Sequence, residues 1–350
     1  MSVAVQQAES LRAAVVGLGY WGPSLLRVLA DLEDVEVAWI CDLDDDRVRR
    51  FLRRYPSVRG TTRLDDVLDD ASVDAVFVAT PVYTHYDIAS RSLRAGKHTF
   101  VEKPLAPSSG EVDDLIELAD AGELLVMCGH TFVYSPPVRR VKELLASGEL
   151  GEIYFISSSR VNLGLHQRDI SVLWDLGPHD ISILLYWLEE LPDTVRATGR
   201  DSIVPGITDV AFLTLGFPSG LIANVELSWL APSKLRRTVL VGSEKMVVYD
   251  DGGPEPVKVY DHGVVYQDPE TFGEYHLSYR TGDVLTPKLD STEPLQIELR
   301  NFVGSVRGDA TPVADSWLAR DVVRVIEAAD ESLRSGAESR PAASGRFVAS

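Results

Sequence analysis

The run Gly17-Leu18-Gly19-Tyr20-Trp21-Gly22 most narrowly limits what this chain can fold into. It follows a short apolar stretch, residues 13–16, and leads into a stretch of helical periodicity, residues 24–30. In a strand-to-helix turn of this pattern, the first glycine permits the tight turn and the second lets the backbone approach a pyrophosphate. The third lets the helix pack closely on the strand. The run therefore predicts a dinucleotide-binding βαβ unit near the start of the chain.

An acid at the end of the second apolar stretch strengthens this prediction. Asp42 stands twenty residues after Gly22, where a carboxylate accepts hydrogen bonds from the adenosine ribose and repels a 2′-phosphate. Four acids among residues 42–46 precede Arg47, and Asp44 is expected to cap the next helix. We therefore predict NAD rather than NADP as the cofactor, with Arg47 as the residue that could reverse this preference.

The order of apolar stretches predicts two domains. In the first third of the chain they alternate with amphipathic helical stretches, which is typical of a parallel sheet covered on both faces. From residue 153 onward, strand-like stretches follow one another with few helices, which indicates a largely antiparallel sheet. We predict a doubly wound α/β Rossmann domain at residues 10–132 and an α+β domain with a large, mostly antiparallel open sheet at 133–335. A flexible tail is expected at 336–350.

Composition excludes several classes of partner. The 350 residues include 53 acids and 34 Lys or Arg, a net charge of −19, so nucleic acid and membrane surfaces are not expected partners. The two cysteines lie in apolar stretches, which argues against disulfides and against a cysteine metal site. The first ten residues lack a signal pattern, and the longest apolar run, residues 181–188, is too short to span a bilayer. We expect a cytoplasmic protein.

Two later loops should line the cofactor crevice, because loops at the carboxyl ends of strands do so in this topology. Thr80 and Pro81 follow the fourth apolar stretch and are expected to contact the ribose or the nicotinamide. His85 lies one turn into the next helix. It either contacts the cofactor or serves as a packing or capping histidine.

The tripeptide Glu102-Lys103-Pro104 ends another strand of the same domain. A lysine at a strand end is often only a solvated cation. Here Pro104 restrains the backbone, and Glu102 offers a carboxylate that can hold the ammonium group and lies near the cofactor. Such a lysine can bond a substrate hydroxyl and stabilise the alkoxide that forms as hydride departs.

A second constellation lies in the second domain, in Trp174-Asp175-Leu176-Gly177-Pro178-His179. We predict that Asp175 is the N-cap of a helix with Pro178 in its first turn. Asp175 and His179 are four residues apart and share one side, so the carboxylate can orient an imidazole that acts as a general base. In an isolated D-x-x-x-H motif, the aspartate is more often a helix cap and the histidine a buried structural residue. No third residue at a recognisable spacing suggests a metal site.

Taken together, these motifs resemble the glucose–fructose oxidoreductase/inositol dehydrogenase/rhizopine catabolism (Gfo/Idh/MocA) family. The likeness runs in order through the glycine turn, Asp42, Ala79-Thr80-Pro81, Glu102-Lys103-Pro104 and Asp175-x-Gly177-x-His179, and continues to the residues 293–295 and 307–312.

The resemblance implies an NAD(P)-dependent dehydrogenase that transfers hydride between a nicotinamide and a secondary alcohol of a sugar-type substrate. Lys103 would be the catalytic lysine, preceding a proline through a commonly cis bond, and His179 would be the acid/base. Asp175 would be its partner or a substrate ligand. Relatives often form homodimers or homotetramers through the open face of the second sheet.

The substrate is less closely indicated. Where relatives often carry Asn or Arg near the substrate, this chain has His130 and Tyr134. Basic and polar residues of the second domain suggest an anionic substrate such as a nucleotide sugar. They are Arg160, Asn162, His166, Arg168, Lys234, Arg236 and Arg237. Inositols and simple sugars are the alternatives, and solvated surface arginines would explain the same residues. A dihydrodiol or tetrapyrrole substrate, or a non-catalytic dinucleotide-sensing regulator, also stays open.

Overall fold

The computed structural model describes residues 10–164, 170–266 and 277–343. The chain divides into two compact units. The first contains residues 10–134 and Thr292–Val323, and the second contains Ser135–Ser291 and the segment from Arg324 onward. The segment Thr292–Val323 thus groups with the first unit, whereas we predicted it as part of the second domain.

A parallel sheet lies at the centre of the first unit. Its strands are β1 (Leu11–Val16), β2 (Val35–Cys41), β3 (Arg59–Thr61), β4 (Ala75–Val78), β5 (His98–Glu102) and β6 (Val126–Gly129). They lie in the order β3-β2-β1-β4-β5-β6. The strand order reverses between β1 and β4, and ligands bind outside the carboxyl ends of the strands at such a point. The predicted Rossmann fold is confirmed.

The sheet of the second unit is larger and mostly antiparallel. Its strands are β7 (Ile153–Leu163), β8 (Thr194–Arg200), β9 (Val210–Gly216), β10 (Ile222–Ser228), β11 (Leu230–Gly242), β12 (Met246–Asp250), β13 (Val257–Tyr266) and β14 (Leu277–Leu285). The order is β14-β13-β12-β11-β7-β10-β9-β8, and among the described strand pairs of this sheet only β7 and β10 run parallel. This confirms the predicted α+β domain with a mostly antiparallel sheet.

The helices follow the predicted amphipathic stretches except for the short helix at residues 64–68, which was not predicted. They are α1 (Gly22–Asp31), α2 (Asp45–Leu52), α3 (Leu64–Leu68), α4 (His85–Arg94), α5 (Ser109–Ala121), α6 (Pro136–Ala146), α7 (Val172–Leu188), α8 (Pro294–Val306) and α9 (Ser316–Ser335). The Asp44 side chain accepts hydrogen bonds from the first turn of α2, as predicted. In the described part of the chain, no helix is long and apolar enough to cross a membrane.

An aromatic cluster explains why α8 belongs to the first unit. The ring of Phe302 on α8 lies 5.0 Å from that of Phe77 on β4 and 5.8 Å from that of Phe100 on β5, measured between centroids. All three side chains are fully buried. Burial of this size stabilises by about 2 kcal/mol or more per ring, so α8 is part of the core of the first unit.

The predicted flexible tail is corrected in part. Within its described residues, Ser339 pairs with Val195 of β8 through two backbone hydrogen bonds of 2.9 Å. The carbonyl of Ala343 accepts a bond of 2.6 Å from Arg324. Residues 336–343 are therefore held within the second unit by a pair of backbone hydrogen bonds and by a bond from an arginine side chain, which composition does not reveal.

Candidate active site

The glycine turn after β1 can be built only with glycine at two positions. Gly17 has a φ of +94°, and a Cβ there would lie 2.5 Å from the carbonyl oxygen of Ala79. At Gly22 a Cβ would lie 1.8 Å from the carbonyl oxygen of Gly17. At Gly19, by contrast, no described atom lies within 4 Å of the Cβ position. The backbone is therefore open at Gly19, which fits the approach of a pyrophosphate to the start of α1.

The other residues of the turn differ in exposure. Leu18 is buried, whereas Tyr20 is 89% exposed. The rings of Tyr20 and Trp21 stack with their centroids 6.4 Å apart. The Tyr20 side chain is thus accessible to a bound dinucleotide, whereas the Leu18 side chain is not.

Asp42 follows β2 and supports the glycine turn. Its Oδ2 accepts a hydrogen bond of 2.7 Å from the N–H of Leu18, and its Oδ1 accepts one of 2.9 Å from the N–H of Asp44. The Arg47 guanidinium lies 3.6 Å from Asp42 Oδ2 and 3.3 Å from Asp44 Oδ2. Two carboxylates therefore balance the charge of Arg47, and the surroundings favour a free ribose over a 2′-phosphate. These residues fit NAD.

His85 is a structural residue rather than an accessible cofactor ligand. Its side chain is buried, with Nε2 2.8 Å from the carbonyl oxygen of Thr80 and Nδ1 2.8 Å from that of Pro104. A neutral imidazole carries one N–H and can donate to only one of these carbonyls at a time. Burial lowers the pKa of His85, and the charge of Lys103 adds to this effect. His85 links the loop after β4 to the residue that follows Lys103, which supports its alternative role as a packing histidine.

Lys103 directly follows β5, at the carboxyl edge of the first sheet, and its bond to Pro104 is cis. The neighbouring Glu102 is buried, with its carboxyl group beside Gly129 of β6. Burial raises the pKa of Glu102 to about 8, against the opposing effect of Lys103. At neutral pH Glu102 is thus mainly protonated, so the expected carboxylate partner for the ammonium group is largely uncharged. A direct contact of its buried side chain with the cofactor is not supported.

A second buried carboxyl group was not found from the sequence. Glu298 on α8 is fully buried, and its Oε2 accepts a hydrogen bond of 2.7 Å from Thr131. Burial raises the pKa of Glu298, and the nearby Glu102 raises it further. In the sequence Glu298 looks like one of several polar residues of an amphipathic helix, so no local pattern marks it.

In the second unit, α7 carries Asp175 and His179 but begins earlier than predicted. Its first residue is Val172 and its N-cap is Ser171, so Asp175 is not the cap and Pro178 lies within the helix. The reason is that the backbone N–H of Asp175 already bonds the carbonyl of Ser171 at 3.0 Å. Asp175 and His179 are both partly exposed and, at a spacing of four, share one side of the helix.

Asp175 has a partner from a distant part of the sequence. Its Oδ2 accepts a hydrogen bond of 3.1 Å from the indole nitrogen of Trp229, which lies between β10 and β11. The bond holds the carboxylate on the side of α7 that it shares with His179. A carboxylate so placed can orient an imidazole and stabilise its protonated form.

Two predicted substrate residues are closed off from solvent. Tyr134 is fully buried; its hydroxyl donates to Asn301 Oδ1 at 2.8 Å and accepts from the N–H of Ala314 at 3.0 Å. Arg160 on β7 is buried and forms an ion pair with Asp180 of α7. The expectation that these side chains contact substrate is therefore corrected, since both are committed to interior contacts. His130, the other residue considered with Tyr134, is also buried.

The remaining predicted substrate residues differ in their burial and in their charged partners. Arg236 forms an ion pair of 2.9 Å with Asp251, which balances its charge. Asn162 is half-buried on β7. Arg168 and His166 lie outside the described residues. The described arginines of this set thus offer less free positive charge than the sequence suggests.

Family models match most of the chain. Residues 11–130 match the model described as an oxidoreductase family with an NAD-binding Rossmann fold, and residues 138–248 match the GFO/IDH/MocA C-terminal domain. One curated relative is inositol 2-dehydrogenase 2 of Saccharopolyspora erythraea, 30% identical over 225 residues, which cover 62% of this chain and 66% of that protein. Another is 2,7-anhydro-N-acetylneuraminate hydratase of Escherichia coli, 28% identical, covering 61% and 60%. The chain therefore spans about two thirds or less of the length of these two relatives.

Solved structures match over nearly the whole chain. GenD2 from gentamicin A biosynthesis, in complex with NAD, is 26% identical and has a TM-score of 0.81, covering 96% of this chain and 97% of that one. UDP-N-acetylglucosamine 3-dehydrogenase GnnA from Acidithiobacillus ferrooxidans is 22% identical, with a TM-score of 0.78 and coverage of 94% and 99%, and shows likeness of fold alone. The chain thus belongs to the Gfo/Idh/MocA family of oxidoreductases, whose first domain is an NAD-binding Rossmann fold.

Proposed function

We propose that this protein is an NAD-dependent dehydrogenase that oxidises a secondary hydroxyl group of a sugar or cyclitol. The position of Lys103 carries the proposal: it stands at the carboxyl edge of the sheet whose β1 and β2 present the glycine turn and Asp42. Bound NAD would supply the acceptor for the hydride that leaves the alcohol carbon.

The chain's own residues would handle the oxygen and its proton. The Lys103 ammonium group would donate a hydrogen bond to the substrate oxygen and stabilise the charge that develops as the C–H bond breaks. His179 would accept the hydroxyl proton, and Asp175, held by Trp229, would orient the ring and stabilise the imidazolium. The hydroxyl proton then resides on His179, and the substrate leaves as a ketone.

The relatives support a polyol substrate. The inositol 2-dehydrogenase relative is named for a cyclitol, and GenD2 belongs to the biosynthesis of gentamicin A. We infer that this chain acts on a compound of the same broad class.

A nucleotide sugar is the alternative substrate. Lys234 and Arg237 of β11 are exposed and could bind a pyrophosphate, but Arg160 and Arg236 form ion pairs with Asp180 and Asp251. The described charges therefore favour a neutral polyol over a nucleotide-linked one.

The second sheet supports self-association. Its face opposite the helices exposes Phe155 by 42%, Phe212 by 51% and Ile222 by 48%. Phe155 and Ile222 are direct neighbours in the register of β7 and β10. Exposed apolar side chains on a regular sheet face are typical of an interface, and we infer a homodimer or homotetramer.

The direct test is reduction of NAD and NADP in a panel of inositols, hexoses, amino sugars and nucleotide sugars. We expect turnover with NAD and a free polyol. Lys103→Ala should abolish turnover while NAD still binds. Turnover retained in this variant, or no reduction with any member of the panel, would contradict the proposal, and the second result would favour a dinucleotide-sensing protein.

A further inference from the structure

His179 follows the weakest point of α7. Pro178 has no N–H to donate to the carbonyl of Trp174, and Gly177 before it is a poor helix former. A helix interrupted in this way cannot fix the direction of the next side chain through its own hydrogen bonds. The orientation of His179 must therefore depend on contacts with the rest of the second unit.

The next residue, Asp180, supplies such contacts. Its side chain is 4% exposed, and its two oxygens bond two different donors of β7: Ser158 Oγ at 2.7 Å from Oδ1, and Arg160 Nε at Oδ2. Ser158 is bonded in turn to Thr238 of β11 at 2.8 Å. Ser158 and Thr238 are register partners on two central strands of the sheet, so Asp180 is bonded to the centre of the sheet.

Asp175 fixes the helix on the other side of His179. It is bonded to Trp229, and the preceding Trp174 donates to Asp330 of α9 at 2.5 Å. Asp175 and Asp180 are separated by about 7.5 Å along the helix axis. His179 therefore lies about one turn from one fixed carboxylate and directly before another, and different parts of the second unit hold the two carboxylates.

Stability alone does not account for the buried ion pair. Arg160 and Asp180 are 3% and 4% exposed, and replacing such a pair by apolar side chains of similar size is often neutral or stabilising. An apolar contact allows a helix to rotate or slide, whereas a carboxylate bonded to two fixed donors allows only one orientation of the helix. The ion pair thus fixes the orientation of α7 at this point, and a proton acceptor on the adjacent residue requires a fixed orientation.

We propose that Arg160 and Asp180 are positioning residues that set the orientation of the His179 imidazole. This inference rests on the proposed function, in which His179 accepts the substrate proton. Arg160, expected from the sequence to bind substrate, would instead act on the reaction through Asp180 and α7.

The test is a double variant, Arg160→Met with Asp180→Leu, which removes the pair without leaving a buried charge. We expect a folded protein whose kcat falls roughly 10- to 100-fold with a smaller change in KM. Lys142→Met is the matched control, since Lys142 bonds the carbonyl of Trp187 and pairs with Glu189 at the far end of α7. It should leave kcat unchanged. If the double variant does not fold, Ser158→Ala removes one bond to Asp180 and should lower kcat by a few-fold.

A second readout does not depend on turnover. In protein labelled with ¹³C,¹⁵N-histidine, the His179 ring signal is assigned by its loss in His179→Asn. We expect this signal to shift in the double variant, or in Ser158→Ala, and to stay in place in Lys142→Met. Should the wild type oxidise no alcohol, the proposed function fails, while the ring signal still decides the positioning role. An unchanged ring signal or an unchanged kcat in a folded variant overturns the inference.

Discussion

The carboxyl group of Glu102 occupies the space beside Gly129 into which a side chain at position 129 would project. A Cβ on Gly129 would lie 3.1 Å from Glu102 Oε2, and the two residues are register partners in β5 and β6. The absence of a side chain at 129 thus allows a carboxyl group to be buried directly before Lys103. The same burial raises the pKa of Glu102 to about 8.

Stability should therefore depend on the pH through Glu102. Between its ordinary pKa of 4.5 and about 8, the folded protein keeps a proton that the unfolded chain loses. The free energy of unfolding should fall as pH rises through this window, by about 1.4 kcal/mol per pH unit at most, and level off above it. Glu102→Gln cannot lose this proton, so its stability relative to wild type should increase from pH 5 to pH 8.

Urea unfolding at pH 5, 6.5 and 8 measures this difference. Glu298→Gln serves as a companion variant and should change in the same direction, because the pKa of Glu298 is also raised. A difference between Glu102→Gln and wild type that is constant across the three pH values would show that Glu102 is ionised in the folded protein.

Alanine at two positions of the glycine turn should have different effects on stability and on NAD binding. Gly22→Ala places a methyl group 1.8 Å from the Gly17 carbonyl oxygen, so the turn must move. We expect a loss of stability of about 1–3 kcal/mol together with loss of NAD binding. Gly19→Ala meets no described atom within 4 Å, so it should fold normally but bind NAD more weakly, because its methyl group occupies the approach to the backbone.

Thermal unfolding and titration of NAD by calorimetry distinguish the two variants. Equal NAD affinity in Gly19→Ala and wild type would mean that the pyrophosphate does not approach this part of the turn.

Cofactor preference should depend on Asp42 more than on its neighbours. Asp42→Ala removes the proposed ribose acceptor and the bond to the N–H of Leu18, so NAD affinity should fall roughly 10- to 100-fold and the ratio of NAD to NADP affinity should decrease. Asp44→Ala removes the N-cap of α2 and should cost about 1 kcal/mol of stability with a smaller effect on the ratio. Binding titrations with both cofactors measure the two ratios. The prediction fails if Asp44→Ala changes the ratio more than Asp42→Ala does.

Self-association should depend on the exposed face of the second sheet. Phe212→Lys introduces a charge into this face and should shift the protein toward a smaller oligomer in sedimentation or light-scattering measurements, since burying an unpaired charge is costly. Ile203→Lys is the control, because Ile203 is 60% exposed but lies between β8 and β9. A mass that is unchanged in Phe212→Lys and reduced in Ile203→Lys would place the interface elsewhere.

The elements that could be predicted are those with strong local signals. The apolar strands of the first sheet alternate with amphipathic helices, and the glycine turn and Asp42 mark the cofactor side of that sheet. Three strands near the sheet edges, β3, β13 and β14, were not predicted. Strand β3 is only three residues long, and β13 and β14 carry polar residues. Edge strands are stabilised by pairing with a neighbour, which local sequence does not encode.

By itself, the sequence determined the two fold classes, the family and the motifs that contain Lys103, Asp175 and His179, because each is a pattern of nearby residues. The tertiary structure decided which side chains are available. It placed Tyr134 and Arg160 in the interior, paired Arg236 with Asp251, bound Asp175 to Trp229 and moved α8 into the first unit. These outcomes depend on partners that are from about 15 to more than 150 residues away, and burial and hydrogen bonding between such partners exist only once the chain has folded.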